Sequence, residues 1–264
     1  MNIFKTWNAK LNNYASVELR GNQLLNHIPY ISMKDVDKLT DSRIIFIKPL
    51  KEDYLTINKC SYKNKVFIDI LDDFSNIREL VNTLHNNITA IWPSYYALST
   101  FKMFFDRNYV VYHQADQRLS YSSYNNITKP NAIYYGSVHK YRKMFNNIKC
   151  ISPSKNNLSI LTNYNIHYIS RTSPYRYDPV TKLSTASKIP NTVVYLSLSD
   201  VGYAEILGQE YPFYIEKFKS IEDVKASFNT AIWYKAIKRM RFINDNVLNF
   251  NLIQSQILNI INNK

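Results

Sequence analysis

Arg171–Tyr214 reads RTSPYRYDPVTKLSTASKIPNTVVYLSLSDVGYAEILGQEYPFY. A basic residue, Arg171, follows the apolar run Ile166–Ile169. Asp178-Pro179 then opens a helix, because aspartate accepts the free amides of a first turn and proline at the first helical position forfeits no hydrogen bond. Val193–Leu196 (VVYL) is a short buried strand, and Val201–Leu207 is a short helix carrying Glu205. An α/β domain uses this layout to hold a nucleotide diphosphate at the carboxyl ends of parallel strands. The stretch points to an enzyme with an activated nucleotide donor rather than to a generic basic protein.

Working outward, β-branched and aromatic runs recur at Arg43–Lys48, Lys65–Ile70, Ala90–Trp92 and Tyr109–His113. A second set lies at Ala132–Tyr135, Lys149–Ile151, Ile166–Ile169 and Val193–Leu196, with a further short run at Tyr211–Ile215. Such runs lack alternation, as expected of parallel strands covered on both faces. Helical patterns separate them at Ser16–Asn26, Ser75–Asn86, Tyr95–Asp106, Val138–Asn146, Ser154–Thr162, Pro179–Lys188, Val201–Leu207 and Ile221–Phe228. Ser75, Ser94 and Ser154 are suited to cap their helices. The class is therefore α/β. The polar run Tyr121–Asn131 reads as a linker. It implies two Rossmann-like domains, over 1–128 and 129–264, the second with a terminal helical segment. From Thr230 to Asn262, apolar residues at spacings of three and four give one amphipathic helix, or two with a break near Asn244–Asn246.

The 264 residues hold only four glycines, and none forms a glycine-rich phosphate loop. Lys and Arg total 33 against 20 Asp and Glu, a net charge of +13. That excess suits a polyanionic neighbour: nucleic acid such as DNA, an anionic membrane surface, or both. AT-rich codons would also favour Lys, Asn, Ile and Tyr. Cys60 and Cys150 make neither a disulfide framework nor a metal set. The opening MNIFKTWNAKLNN lacks the apolar core of a signal peptide, and no run is long enough to span a bilayer. A cytoplasmic location is expected, the host cytoplasm if the chain is viral.

Two α/β halves, a linker and a long C-terminal helix able to return to the first half resemble the GT-B glycosyltransferases of compact bacterial or viral type. Ile133-Tyr-Tyr-Gly136-Ser137 looks like the first strand and turn of their donor domain. Ile169-Ser-Arg171, then Pro179-x-Thr181-Lys182, then Tyr203-Ala-Glu205-Ile-Leu-Gly208 looks like their donor-binding core. The resemblance implies two domains facing a cleft and a nucleotide-sugar co-substrate with no metal or other cofactor. It implies that Arg171 and Lys182 neutralise the diphosphate, with Thr181 beside them. Gly136 and Ser137 would let the backbone approach the donor, and Glu205 would bond ribose hydroxyls. The chain departs from the retaining families with a Glu-x7-Glu pair, since Ser197 stands eight residues before Glu205.

In the first half, His113 follows a strand, where the crevice of an α/β fold lies. It could act as a general base or orient the sugar, with Asp116 or Arg118 close by, or be a structural histidine. Ser16 and Arg20 share a helix face, and the resemblance puts that face beside the cleft. Asp69 and Asp72 end a strand and could bond the acceptor. The acceptor reading stays divided between a modified base in DNA and a lipid-linked or surface glycan at a membrane face. Lys235, Lys238, Arg239 and Arg241, interleaved with Trp233, Tyr234, Met240 and Phe242, fit either, and fit equally plain helix packing with a solvated basic face, the commonest use of such a pattern. A non-catalytic nucleic-acid-binding protein on an old enzyme fold is the reading from a different class.

Overall fold

The computed structural model describes residues 2–12, 14–71, 77–119, 127–136, 148–151, 158–170 and 180–263, without the side chains of Ser16 and Arg78. These divide into two compact units. The first holds the described residues up to His113 together with the stretch from Phe250, and the second holds those from Gln114 to Asn249. The division falls earlier than the linker expected around 128. Ser184 Oγ donates to the Gln114 carbonyl at 3.2 Å and Lys188 Nζ to the Asp116 carbonyl at 3.0 Å, which fastens this segment to the second unit.

The first unit is built on β1 (Ile3–Thr6), β2 (Arg43–Ile47), β3 (Lys65–Asp69), β4 (Thr89–Trp92) and β5 (Arg107–Val110). They are parallel and lie in sequential order. Ile44, Phe46, Val66, Ile68, Ala90 and Trp92 project to one face. There they pack with residues of α2 (Tyr54–Ser61), α3 (Ile77–Thr83) and α4 (Tyr95–Phe101), including Ile57, Leu80 and Phe101. Ser94 caps α4 by accepting from Ala97 N at 3.1 Å. β1 and α2 are additions to the sequence reading. β1 carries a buried lysine in a four-residue run, and Lys5 Nζ donates to the carbonyls of Gly21 and Leu25, each at 2.8 Å.

Those carbonyls are available because the expected helix from Ser16 changes pitch. α1 (Ala15–Val17) continues as a π-helical segment, Glu18–Leu24, a geometry that frees backbone groups and often marks a functional site. A Cβ on Gly21 would stand 2.9 Å from Trp7 Cζ3, so only glycine admits the tryptophan here. The pitch change carries Arg20 fully out of solvent. Its Nε lies 2.7 Å from Asp69 Oδ2. Its terminal nitrogens donate to Val111 O at 2.9 Å and Tyr112 O at 3.2 Å.

The second unit holds β6 (Ala132–Tyr135), β7 (Lys149–Ile151), β8 (Ile166–Tyr168) and β9 (Val193–Tyr195), parallel in the order β7-β6-β8-β9. Tyr134, Tyr168 and Tyr195 form a row of ring contacts at 6.4 and 5.7 Å across three strands. The expected run Tyr211–Ile215 forms only an isolated bridge from Tyr214 to Leu196. α5 (Thr181–Lys188), α6 (Val201–Leu207), α7 (Ile221–Ala226) and α8 (Ala231–Asn246) follow. The C-terminal amphipathic region breaks after Asn246 and resumes as α9 (Phe250–Asn262). α9 belongs to the first unit, where Gln254 donates to Leu24 O at 2.7 Å and Arg43 to Asn262 O at 3.0 Å. Among the described residues no helix is long and apolar enough to cross a membrane.

Removing one partner of a buried ion pair leaves the other charge stranded, which costs about 3–5 kcal/mol. Asp69→Ala is expected to lose stability in that range by urea denaturation. The apolar double variant Arg20→Met/Asp69→Leu should be clearly less destabilised.

Candidate functional site

The order β7-β6-β8-β9 reverses at β6. The chain passes from β6 to β7 on one side and then to β8 on the other. Such a reversal opens a crevice at the carboxyl ends of the two diverging strands, where open α/β sheets bind ligands. Gly136 ends β6 with φ +127°, a conformation that favours glycine. A Cβ there would meet Lys182 Cε and Nζ at 3.4 Å. Two residues picked from distant parts of the sequence therefore meet at the switch point. Lys182 is buried, and its ammonium sits 3.8 Å over the Tyr134 ring and 5.7 Å from that of Tyr135. Tyr135 Oη fixes the same residue by donating to the Lys182 carbonyl at 2.9 Å. Thr181 begins α5 beside it and is half-buried.

The ends of β8 and β9 carry a polar turn. Ser170 Oγ donates to Asp200 Oδ2 at 2.6 Å and accepts from Ser197 N at 2.7 Å. Glu216 accepts from Ser197 Oγ at 2.6 Å and from Leu198 N at 3.0 and 3.1 Å. Sequence reading missed Glu216, which follows a proline-containing aromatic run and belongs to no motif. Ser197, noted only as the place where a glutamate was lacking, is its partner. Glu205 lies on the exposed side of α6.

In the first unit, strand ends gather Thr6, Lys48, Asp69 and the segment leading to His113. Lys48 takes φ +51°, unusual for a non-glycine residue and more so before proline. Its ammonium stands 4.8 Å from the Tyr14 ring centroid. His113 is buried, and among the described residues neither ring nitrogen has a hydrogen-bond partner. Burial first, then the charges of Arg20 and Lys48, hold its pKa well below the ordinary value. The imidazole is therefore neutral and both its nitrogens are available. Burial pushes the Asp69 carboxyl up to about 6, while Arg20 pulls it down.

Arg20 is thus an interior residue engaged by Asp69 and two carbonyls. Asp116 is in the second unit, paired with Arg118, whose Nε and Nη2 reach its oxygens at 3.0 and 2.6 Å. Only the backbone of Ser16 is described. Asp72, Ser137 and Arg171 lie outside the described residues. Among the described residues, no group of three His, Cys, Asp or Glu is arranged to hold a metal ion.

No family model and no curated protein sequence matches the chain. Solved structures do. An Escherichia coli trehalose-6-phosphate synthase structure bound with UDP-2-fluoro glucose aligns with a TM-score of 0.62 at 9% identity, covering 92% of this chain and 77% of that one. T4 phage β-glucosyltransferase in complex with UDP and Mn2+ aligns with a TM-score of 0.61 at 12% identity, covering both chains fully. The same phage's DNA-modifying β-glucosyltransferase, studied with and without its substrate uridine diphosphoglucose, aligns at 0.54 and 14%, again over both chains. The chain has their GT-B fold, as the sequence motifs implied.

His113 and His167 are both buried with lowered pKa values, that of His167 to about 4. A histidine kept neutral by folding contributes stability that is present above its unfolded pKa near 6.5 and is lost as pH falls below it. Replacing His167 by glutamine should make the dependence of stability on pH, between 6.5 and about 4, shallower by about 1.4 kcal/mol per pH unit, and replacing His113 should flatten it below 6.5. Denaturation midpoints measured across that range check the slope.

Proposed function

We propose that the chain is a glycosyltransferase that moves a sugar from a nucleotide-sugar donor, a UDP-sugar first among them, to a hydroxyl on a modified base in DNA. The observation that carries the donor half is the meeting of Gly136 and Lys182 at the sheet's switch point. Small backbone and buried cation together suit a diphosphate. Lys182 is held over Tyr134, so little reorganisation is needed when phosphate charge develops there. DNA as acceptor is supported by the excess of basic residues and by the likeness to a phage enzyme described as DNA-modifying.

In the reaction the acceptor oxygen bonds to the anomeric carbon as that carbon's bond to the diphosphate oxygen breaks. The nucleoside diphosphate leaves with the electron pair, and the acceptor's proton passes to a base. Lys182, with Arg171, stabilises the charge on the leaving diphosphate. In this reading they take the part of a metal, and activity survives chelation. Glu205 bonds the ribose, and Glu216 fixes the turn Ser197–Ser199 against which the nucleoside rests. His113 accepts a hydrogen bond from a substrate hydroxyl. Asp116, Arg118 and Arg20 position backbone, and the work takes place in the cytoplasm.

Transfer of labelled sugar from UDP-glucose to duplex DNA carrying a hydroxylated base, with thermal shifts against UDP, GDP, ADP and TDP, tests the proposal. Lys182→Ala should lower turnover about 10²-fold or more, as loss of a transition-state charge partner does. Gly136→Ala should weaken the nucleotide's thermal shift, because a side chain is strained at φ +127° and its Cβ would stand against Lys182 where the backbone meets the donor. EDTA should leave turnover unchanged. Silence from every nucleotide would sink the donor site, and near-normal turnover in Lys182→Ala would remove Lys182 from it.

A further inference from the structure

α8 has two unlike faces. Trp233, Ala236, Ile237, Met240 and Ile243 are buried, and the helix packs on α5, α6 and β9. Arg239 is taken up inside the unit, its Nε donating to Leu207 O at 2.8 Å and its Nη2 to Ile206 O at 2.5 Å. The outward face carries Tyr234, Lys235, Lys238, Arg241 and Phe242, all exposed. At 3.6 residues per turn these five share an arc of about 120°, and Lys235 and Arg241 are about 9 Å apart along the axis. Asp245, one turn further, is the one carboxylate of α8 on that arc. The two aromatics are 58% and 49% exposed, with the Arg239 guanidinium 5.3 Å from the Phe242 ring centroid.

Two polyanions attract such a face. A helix that lies on a membrane immerses a continuous apolar face in the lipid. The apolar face of α8 is already buried in protein, and what remains outside is three cations and two separated rings. Duplex DNA presents a negative charge every ~1.7 Å of its axis, so three cations spread over two turns meet phosphates without needing an apolar surface. Tyrosine and phenylalanine beside them can pack on sugars or on a displaced base.

We propose that the outward face of α8 is a docking surface for the phosphate backbone of duplex DNA. Lys235, Lys238 and Arg241 contact phosphates, while Tyr234 and Phe242 pack beside them. The inference rests on the reading that the acceptor is DNA, and adds where its backbone is gripped.

The test is fluorescence anisotropy of a labelled, unmodified duplex titrated with the full chain over a range of NaCl. It compares wild type with Lys235→Gln/Lys238→Gln/Arg241→Gln. Loss of three phosphate contacts should make the plot of log affinity against log salt shallower by about 2–3, and weaken binding at 0.1 M salt about 10²-fold. An unchanged thermal shift with UDP shows that the variant is folded with its donor site intact. Equal affinity and equal salt slope in the two proteins would overturn the docking surface and leave DNA as the acceptor. No binding of duplex by wild type at low salt, with the UDP shift retained, would remove the DNA reading itself. Capture of wild type but not the variant by phosphatidylserine vesicles, without DNA binding, would reassign the face to a membrane.

Discussion

The first unit depends on one interaction, the Arg20–Asp69 pair. Both side chains are out of water, and taking two charges from water costs several kcal/mol each unless every donor and lone pair is served. Asp69 is the last residue of β3, so its carboxylate sits where the sheet runs out of ladder partners. Arg20 answers it and reaches on to Val111 O and Tyr112 O. A planar, forked guanidinium can hold a carboxylate and two carbonyls together where a lysine could not. The effect is to fix the chain leaving β5, two residues before it reaches His113. Burial first keeps His113 neutral, and the same cation, with Lys48, adds to that effect. One buried pair therefore sets the path of the segment and contributes to the electrostatics of its imidazole.

In the second unit the corresponding role falls to topology. A switch in strand order makes a crevice whatever the side chains are, and the sequence then supplies a residue without a side chain, Gly136, and a cation, Lys182. The tyrosine row explains how a lysine can be buried there. Tyr134, Tyr168 and Tyr195 fill the sheet face as large apolar residues would, but a ring face attracts an ammonium where an aliphatic one would not.

How much was legible follows from the kind of signal involved. Parallel strands buried on both faces are continuous apolar runs, so β2, β3, β6 and β9 stood out. β1 did not, because Lys5 interrupts it and is explained only by carbonyls that a π-helical turn leaves open sixteen and twenty residues later. Lys182 and Gly136 were legible as members of an ordered motif, but their contact depends on the order of strands, which no local pattern encodes. Arg20 looked like one of two polar groups on a helix face. Its burial follows from the pitch change at Glu18–Leu24, and that in turn from Gly21 yielding space to Trp7. Glu216 gave no signal, since its role depends on a turn between β9 and α6 that folds against it.

The charge excess illustrates the same limit. Read as a sum, +13 points to a polyanion. Read by position, part of it is structural. Lys5 holds the last carbonyls of the π-helical segment, Arg239 those of α6, Lys188 the carbonyl of Asp116, and Arg20 those of Val111 and Tyr112. Glycine commonly ends helices by turning the chain so that its own amides satisfy terminal carbonyls. Of the four glycines in 264 residues, Gly208 ends α6 in this way, and long basic side chains serve several further helix-end carbonyls. Cations engaged in this way are fixed and largely hidden, and add little to the field felt by a partner at close range. The sign of the net charge therefore says less about what the protein binds than the few cations the fold leaves facing outward, and on α8 those are Lys235, Lys238 and Arg241.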